Sequence, residues 1–199
     1  MGILLTIKPE KFLKSVEKLA SYYDKDIRHY TVVSSLACQL FDGFAPLHRL
    51  SETDRYILKY AAMLHDIGAA YSDSAHNKKS YALILSSPFL EFDKKIRLYI
   101  GLIARYHRKA LPHDSHDGYA LLKKSERRYV CQLASLLRIA DGLDVSHRAK
   151  VTQLSCTFTD SDAIVVVNSH DADAERMKAL EKADLFETTY GRTLSVRNV

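Results

Sequence analysis

Long apolar runs are missing from this sequence, and with them any segment fit to cross a bilayer as a helix, which takes about 20 consecutive, mostly apolar residues. The stretch Gly2-Ile3-Leu4-Leu5-Thr6-Ile7 is too short for a signal-peptide core and meets Lys8-Pro9 at once. Met1-Gly2 through Thr6 fits the myristoylation pattern in form, but that pattern is permissive and carries little weight. Cysteine is scarce: Cys38, Cys131 and Cys156 are scattered, with no Cys-x-x-Cys pair. Neither a disulfide framework nor a thiolate zinc site is suggested, and a reducing, cytoplasmic compartment fits best. Seven glycines in 199 residues leave no Gly-rich phosphate loop. Internal repeats and low-complexity tracts are also absent.

What remains is a composition suited to a soluble globular chain, long enough for one sizeable domain with a small appendage. A formal net charge of +5 and a pI near 9.0 favour anionic partners. Because the basic residues are dispersed and form no recognised nucleic-acid motif, small phosphate esters rank ahead of nucleic acid.

Apolar residues at helical spacing predict a mainly α chain, with helices over 9–23, 24–44, 51–66, 76–85, 91–106 and 125–143. Asp24 or Asp26, Ser51 with Asp54, and Ser125 are the predicted caps, and Gly68 is the predicted stop of the third helix. Residues 45–50 read as a connector, 69–75 as a polar loop and 108–124 as a long loop of the kind that is often functional. The character changes near residue 151. Residues 151–159 and 163–168 read as a hairpin, 173–183 as an amphipathic helix and 193–197 as a closing strand. The expected architecture is therefore a helical domain over 1–150 and a small α+β appendage over 151–199.

Polar residues interrupt the buried stripes at particular places. His29 shares a face with Val33, Leu36 and Leu40, and the pair His65-Asp66 ends the stripe of Ile57, Ala61 and Leu64. His107 continues the stripe through Ile96, Tyr99, Ile100 and Ile103, and Asp141 follows Val130, Ala134 and Leu137. Each residue alone is more readily a satisfied core or capping group. Jointly, His29, His65, Asp66, His107 and Asp141 are hard to explain as independent polar groups in a core. Helices that bring them to one point would form a metal site of the kind helix bundles hold. Mixed imidazole and carboxylate donors suit Mn, Fe, Co, Ni, Mg or Zn, with imidazole weighing against a pure Mg site.

His29, His65-Asp66 and Asp141 match the H…HD…D order of the HD superfamily of metal-dependent phosphohydrolases, which the chain resembles. Closer still, Leu40-Phe41-Asp42, the run from Ala61 to Gly68, Tyr106-His107-Arg108 and the run from Leu136 to Asp144 resemble the C-terminal HD region of the Ppx/GppA exopolyphosphatase and guanosine pentaphosphatase family. Ala183-Asp184-Leu185-Phe186-Glu187 and Tyr190-Gly191-Arg192 resemble the end of the same proteins, so the similarity spans nearly the whole chain. The resemblance implies an HD-type helical bundle. It does not carry over the phosphatase site of the family's actin-like ATPase domains, which this sequence lacks. Where related HD regions read His-x-x-His-Ser, this chain has His76-Asn77-Lys78-Lys79-Ser80. Lys79 at the position of a second-metal histidine points to one ion, or to a lysine on phosphate. Ala69-Ala70 stand where many active HD enzymes carry acidic or basic catalytic residues.

The resemblance thus implies hydrolysis of a nucleotide or other small phosphate ester, with His29, His65, Asp66 and Asp141 holding one divalent ion. Arg105, Arg108, Arg138 and Lys79 are the candidates to neutralise phosphate, and His107 is either a further ligand or the proton donor to the leaving group. The rival expectation is a non-catalytic module that binds polyphosphate, an alarmone nucleotide or a separate actin-like phosphatase subunit. The strand edge of the appendage offers a route to a homodimer.

Overall fold

Each predicted apolar stripe becomes a buried helix face. The structure, a computed structural model, describes residues 9–72 and 74–199. The amino-terminal pattern at 1–7, and Asp73 of the 69–75 loop, lie outside the described residues. After a 3-10 turn at Pro9–Phe12, α1 (Leu13–Tyr23) buries Val16, Leu19 and Ala20. The carboxylate of Asp26 caps α2 (Ile27–Gly43), accepting the His29 backbone N–H at 3.0 Å. The connector after it holds one short helix, α3 (Ala45–His48), where a non-helical link was expected.

In α4 (Glu52–Leu64) the Asp54 carboxylate takes the Ser51 backbone N–H at 2.8 Å and the Tyr129 hydroxyl at 2.9 Å, so the cap of one helix is also a buried tie to another. The next helices are α5 (His76–Ser86), α6 (Lys94–Arg105) and α7 (Lys124–Gly142). Asp93 caps α6 by accepting the backbone N–H groups of Lys95 and Ile96. The start of α7 differs from expectation: Lys123, not Ser125, holds the cap position, and its N–H goes to Glu126 at 2.8 Å. Helix α2 packs on α4 and α7, and α6 packs on α4, α5 and α7. Val33, Leu36, Leu58, Leu64, Ile100, Ile103, Leu133 and Leu137 fill the space between them and are fully buried.

Gly68 corrects a sequence-based assignment. It lies in a 3-10 turn at Ile67–Ala70 and does not adopt the left-handed conformation of a helix stop. A Cβ there would stand 2.2 Å from the His76 carbonyl oxygen and 2.5 Å from the Ser80 nitrogen, so the glycine exists to let α5 approach.

The appendage is a three-stranded sheet in the order β1 (Leu154–Phe158), β2 (Asp162–Val167), β3 (Thr193–Asn198). Strands β1 and β2 form the expected antiparallel hairpin, and β3 closes the sheet parallel to β2, with Val165 opposite Val196. A parallel pair needs a crossover. The amphipathic stretch supplies α8 (Asp173–Glu181), and a further helix beyond the predicted span, α9 (Asp184–Tyr190), completes the crossover; both pack on α7. Gly142 permits that packing, since a Cβ there would meet the Ala179 backbone at 2.7 Å. As a result, residues 178–184 lie next to Asp141. Among the described residues no helix is long and apolar enough to cross a membrane.

Candidate metal centre

Helix ends bring the polar residues together. His29 sits on the first turn of α2, His65 and Asp66 at the end of α4, His107 just past α6 and Asp141 on the last turn of α7. His29 Nε2 lies 3.9 Å from Asp66 Oδ2 and 3.6 Å from Asp141 Oδ1. His65 Nε2 lies 3.5 Å and 3.7 Å from the same two oxygens. These separations are too long for hydrogen bonds. They are close to the spacing of donors that share one ion, since two atoms each about 2.1 Å from a metal lie roughly 3.0–3.5 Å apart.

The imidazoles are oriented from behind. His65 Nδ1 bonds the Ala62 carbonyl at 2.6 Å, His107 Nδ1 bonds the Ala104 carbonyl at 2.7 Å, and His29 Nδ1 bonds Asp144 at 2.8 Å. A carbonyl or carboxylate on Nδ1 holds a proton there and turns Nε2 toward the centre, which is the usual second-shell arrangement of metal-binding histidines. His29 Nε2, His65 Nε2 and Asp66 Oδ1 are buried without a hydrogen-bond partner. Leaving such groups unsatisfied costs about 1–3 kcal/mol each, and divalent cations held by these donors would satisfy them. The donor set therefore fits a metal ion.

His76, at the start of α5, adds a second group. Its Nε2 is 3.1 Å from Asp66 Oδ1, and His107 Nε2 is 3.4 Å from the same oxygen. Asp66 thus turns Oδ2 toward His29 and His65, and Oδ1 toward His76 and His107. The ligand atoms of Asp66, His76 and His107 lie within 4.8 Å of one another, as do those of His29, His65 and Asp66. The sequence pointed to a single ion because Lys79 stands where a histidine was sought. In the fold, His76 is the α5 residue that faces Asp66, and Lys79 is exposed.

Charge in the cluster is finely opposed. Burial works against a charged His29, yet the nearby negative charge of Asp141, the hydrogen bond to Asp144 and the charge of Asp66 outweigh it and raise its pKa to about 10. For His107 burial prevails, and its pKa falls to about 3. A neutral ring with its Nε2 toward Asp66 suits a ligand. Burial would raise the Asp141 pKa, but the Lys182 ammonium in direct contact with it, and His29 beyond, hold the carboxyl well below its usual range. Lys182 reaches this carboxylate because Gly142 lets α8 lie close against α7.

The cluster forms the floor of a 540 Å³ cavity rimmed by Arg108, Lys109, Lys178 and Lys182. His147 forms part of the wall, stacked on His29 with ring centres 3.8 Å apart and bonded to Asp26 at 2.7 Å. Of the four expected phosphate contacts, Arg108 lines the cavity with its guanidinium 2.9 Å from His76 Nε2. Arg138 also lines it, but its donors are spent on the carbonyls of Tyr106, Lys109 and Lys182 and on the Asp184 carboxylate. It pins the appendage in place. Arg105 opens into a neighbouring cavity, and Lys79 lines neither one. A larger groove of 750 Å³ between α1, α2 and α4 contains no histidine and lies apart from the cluster.

Sequence reasoning missed His76, Asp144, His147 and Lys182. Asp144 alone had a local signal, standing three residues after Asp141 on the same helical face. A family model described as Ppx/GppA phosphatase, domain III, matches residues 13–189.

Proposed function

Because the chain belongs to the Ppx/GppA phosphatase domain III family, we propose that it is an HD-type, metal-dependent phosphohydrolase acting on a nucleotide or other small phosphate ester. One observation carries this reading: Asp66 presents an oxygen to each of two sets of buried imidazole nitrogens at the floor of a cation-rimmed cavity. His29, His65, Asp66 and Asp141 would hold one ion, and Asp66, His76 and His107 a second. Bound metal supplies Lewis acidity toward a phosphoryl oxygen and lowers the pKa of coordinated water.

The protein's own groups do the rest. Arg108, Lys109 and Lys182 orient the phosphate and balance its charge as the P–O ester bond breaks. Lys182 reaches the site through its contact with Asp141. Ala69 and Ala70 carry no titratable group, so proton transfer to the departing oxygen falls to His147, held by Asp26 at the cavity wall.

The test is a screen of mononucleotides and generic phosphate esters with Mn, Co, Ni and Mg, alongside Asp66→Ala and His147→Gln. The reading predicts metal-dependent hydrolysis that is lost in Asp66→Ala. In His147→Gln, kcat should fall about 100-fold with metal affinity unchanged. Metal binding without turnover on any ester would replace the enzyme with a ligand-binding module.

A further inference from the structure

The turn that follows α7 carries part of the cavity wall in a backbone conformation that its side chains do not favour. His147 and Ala149 stand at φ 57° and 52°, in the left-handed region that non-glycine residues rarely adopt. Two such residues within one short turn persist only where surrounding contacts over-determine them. Asp144 closes the turn from inside. Its carbonyl accepts the His147 N–H at 2.9 Å, and its carboxylate accepts the Ala149 N–H at 2.8 Å while also holding His29 Nδ1. From the side of α2, the Arg28 guanidinium donates to the Arg148 carbonyl at 2.7 Å, and Asp26 bonds His147 Nδ1.

A further tie comes from the appendage. Ser146, in the middle of the turn, donates its hydroxyl to Glu175 Oε1 on the first turn of α8. Glu175 is fully buried, and its second oxygen has no hydrogen-bond partner among the described residues. As a device for stability this is a poor arrangement, since burying a carboxylate costs more than one hydrogen bond returns. It is a good device for position. A charge-assisted bond is short and directional, and α8 is itself seated on α7 where Gly142 meets Ala179. The bond therefore fixes the residue next to His147 against a packed helix. His147 in turn lies flat on His29, with ring centres 3.8 Å apart and planes 12° from parallel.

We propose that Glu175 is a positioning residue for the reaction: through Ser146 it holds the turn in the conformation that keeps the His147 imidazole on His29 at the cavity wall. The bond links a helix of the appendage, 29 residues further along the chain, to the turn that bears the proton donor. Without it the left-handed residues relax toward ordinary backbone angles and carry the ring away from the departing oxygen. The placement of the ring stands on the geometry of the turn alone. Its effect on the rate rests in addition on the phosphohydrolase reading, with His147 as the acid.

The test compares Ser146→Ala, Glu175→Ala and Glu175→Gln in the full chain. The His147 ring resonances are read by NMR in metal-free protein, where stacking on His29 shifts them through its ring current. Turnover of phenyl phosphate and of p-nitrophenyl phosphate is read with Mn²⁺. Ser146→Ala, on a partly exposed turn, serves if Glu175→Ala fails to fold. The first two variants should move the His147 resonances toward those of a free histidine. They should also lower kcat on phenyl phosphate about tenfold, with KM and metal content unchanged, because phenolate is a poor leaving group that needs a proton. p-Nitrophenolate leaves without one, so kcat on that ester should stay within about twofold of wild type. Glu175→Gln, whose amide oxygen still accepts from Ser146, should restore the wild-type resonances and kcat. Unmoved His147 resonances in the first two variants overturn the positioning role. Displaced resonances with equal loss on the two esters overturn its part in the reaction. Displaced resonances with neither ester hydrolysed by wild type remove the phosphohydrolase reading and keep the placement of the ring.

Discussion

Gly68→Ala should destabilise the protein and dismantle half of the metal centre without altering a ligand. The new methyl carbon would lie 2.2 Å from the His76 carbonyl oxygen, 2.5 Å from the Ser80 nitrogen and 2.7 Å from Lys79 Cβ. Two of these are backbone atoms of α5, so no side-chain rotation relieves the contact, and α5 must retreat by roughly 1 Å to reach ordinary separation. Overpacking of this kind costs about 1–3 kcal/mol. The same displacement breaks the hydrogen bond from the Gly68 N–H to Ser80 Oγ, 2.9 Å and buried, which adds about 1 kcal/mol. A total near 3 kcal/mol lowers Tm by about 6–12 °C for a chain of this size. Because α5 carries His76, the Asp66–His76–His107 group loses one donor, while His29, His65 and Asp141 stay on other helices. Scanning calorimetry of the metal-free protein reads the first effect, and metal analysis of the folded variant reads the second. A Tm within about 2 °C of wild type, with metal content unchanged, would refute the claim that this glycine is there for the approach of α5.

Arg138→Met removes bonds to three carbonyls and the Asp184 pair, so stability should fall by about 2–4 kcal/mol, with faster hydrogen exchange across 178–190 as the appendage loosens. Metal binding should tighten as pH rises, about tenfold per pH unit, and release a proton, because His29, with its pKa raised to about 10, must be deprotonated to become a ligand. Calorimetry in buffers of different ionisation enthalpy would count that proton. Lys95 and the Tyr99 hydroxyl hold the Glu126 pKa down to about 2, so this carboxylate stabilises the fold above its unfolded pKa of about 4.5 and loses that contribution as pH falls toward 2. Lys95→Met should therefore cost roughly 0.5–1 kcal/mol at pH 7, a small value because the pair is partly exposed, and nothing near pH 2, as read by urea unfolding at both pH values.

The helical stripes made much of this arrangement readable in advance. His29, His65, Asp66, His107 and Asp141 stood out because each ends or interrupts an apolar face, and the fold brings those helix ends to one place. His76 carried no such mark: α5 has a weakly amphipathic pattern, and the search for a second-metal histidine settled on the position of Lys79. Lys182 reaches Asp141 from a helix 41 residues further along the chain, through a contact set by Gly142 against Ala179, and no local pattern announces such a pairing. Arg138 looked like a phosphate ligand because a sequence does not show where the five donors of a guanidinium go. Gly68 looked like a helix stop because a glycine after a last turn has two common causes, left-handed backbone and close approach, and only the position of α5 separates them. The capping of α7 shifted by two residues for a related reason: Glu126 bonds back to the Lys123 N–H, and side-chain propensity at Ser125 does not override that bond.

The central claim is that the buried, unpartnered nitrogens of His29 and His65 and the Asp66 carboxylate are the ligands of a divalent cation. It is tested most directly by thermal unfolding of tag-free, chelator-treated protein with Mn, Co, Ni, Mg or Zn added back, together with metal quantification after desalting. An ion bound only by the folded state, at about 100 times its Kd, stabilises by about 2.7 kcal/mol, which corresponds to a Tm increase of roughly 5–10 °C. The account predicts such an increase with at least one of these metals, one to two ions retained per chain, and loss of both effects in Asp66→Ala. No retained ion and no change in Tm with any of the five metals would contradict it, and the cluster would then be a polar network in the core.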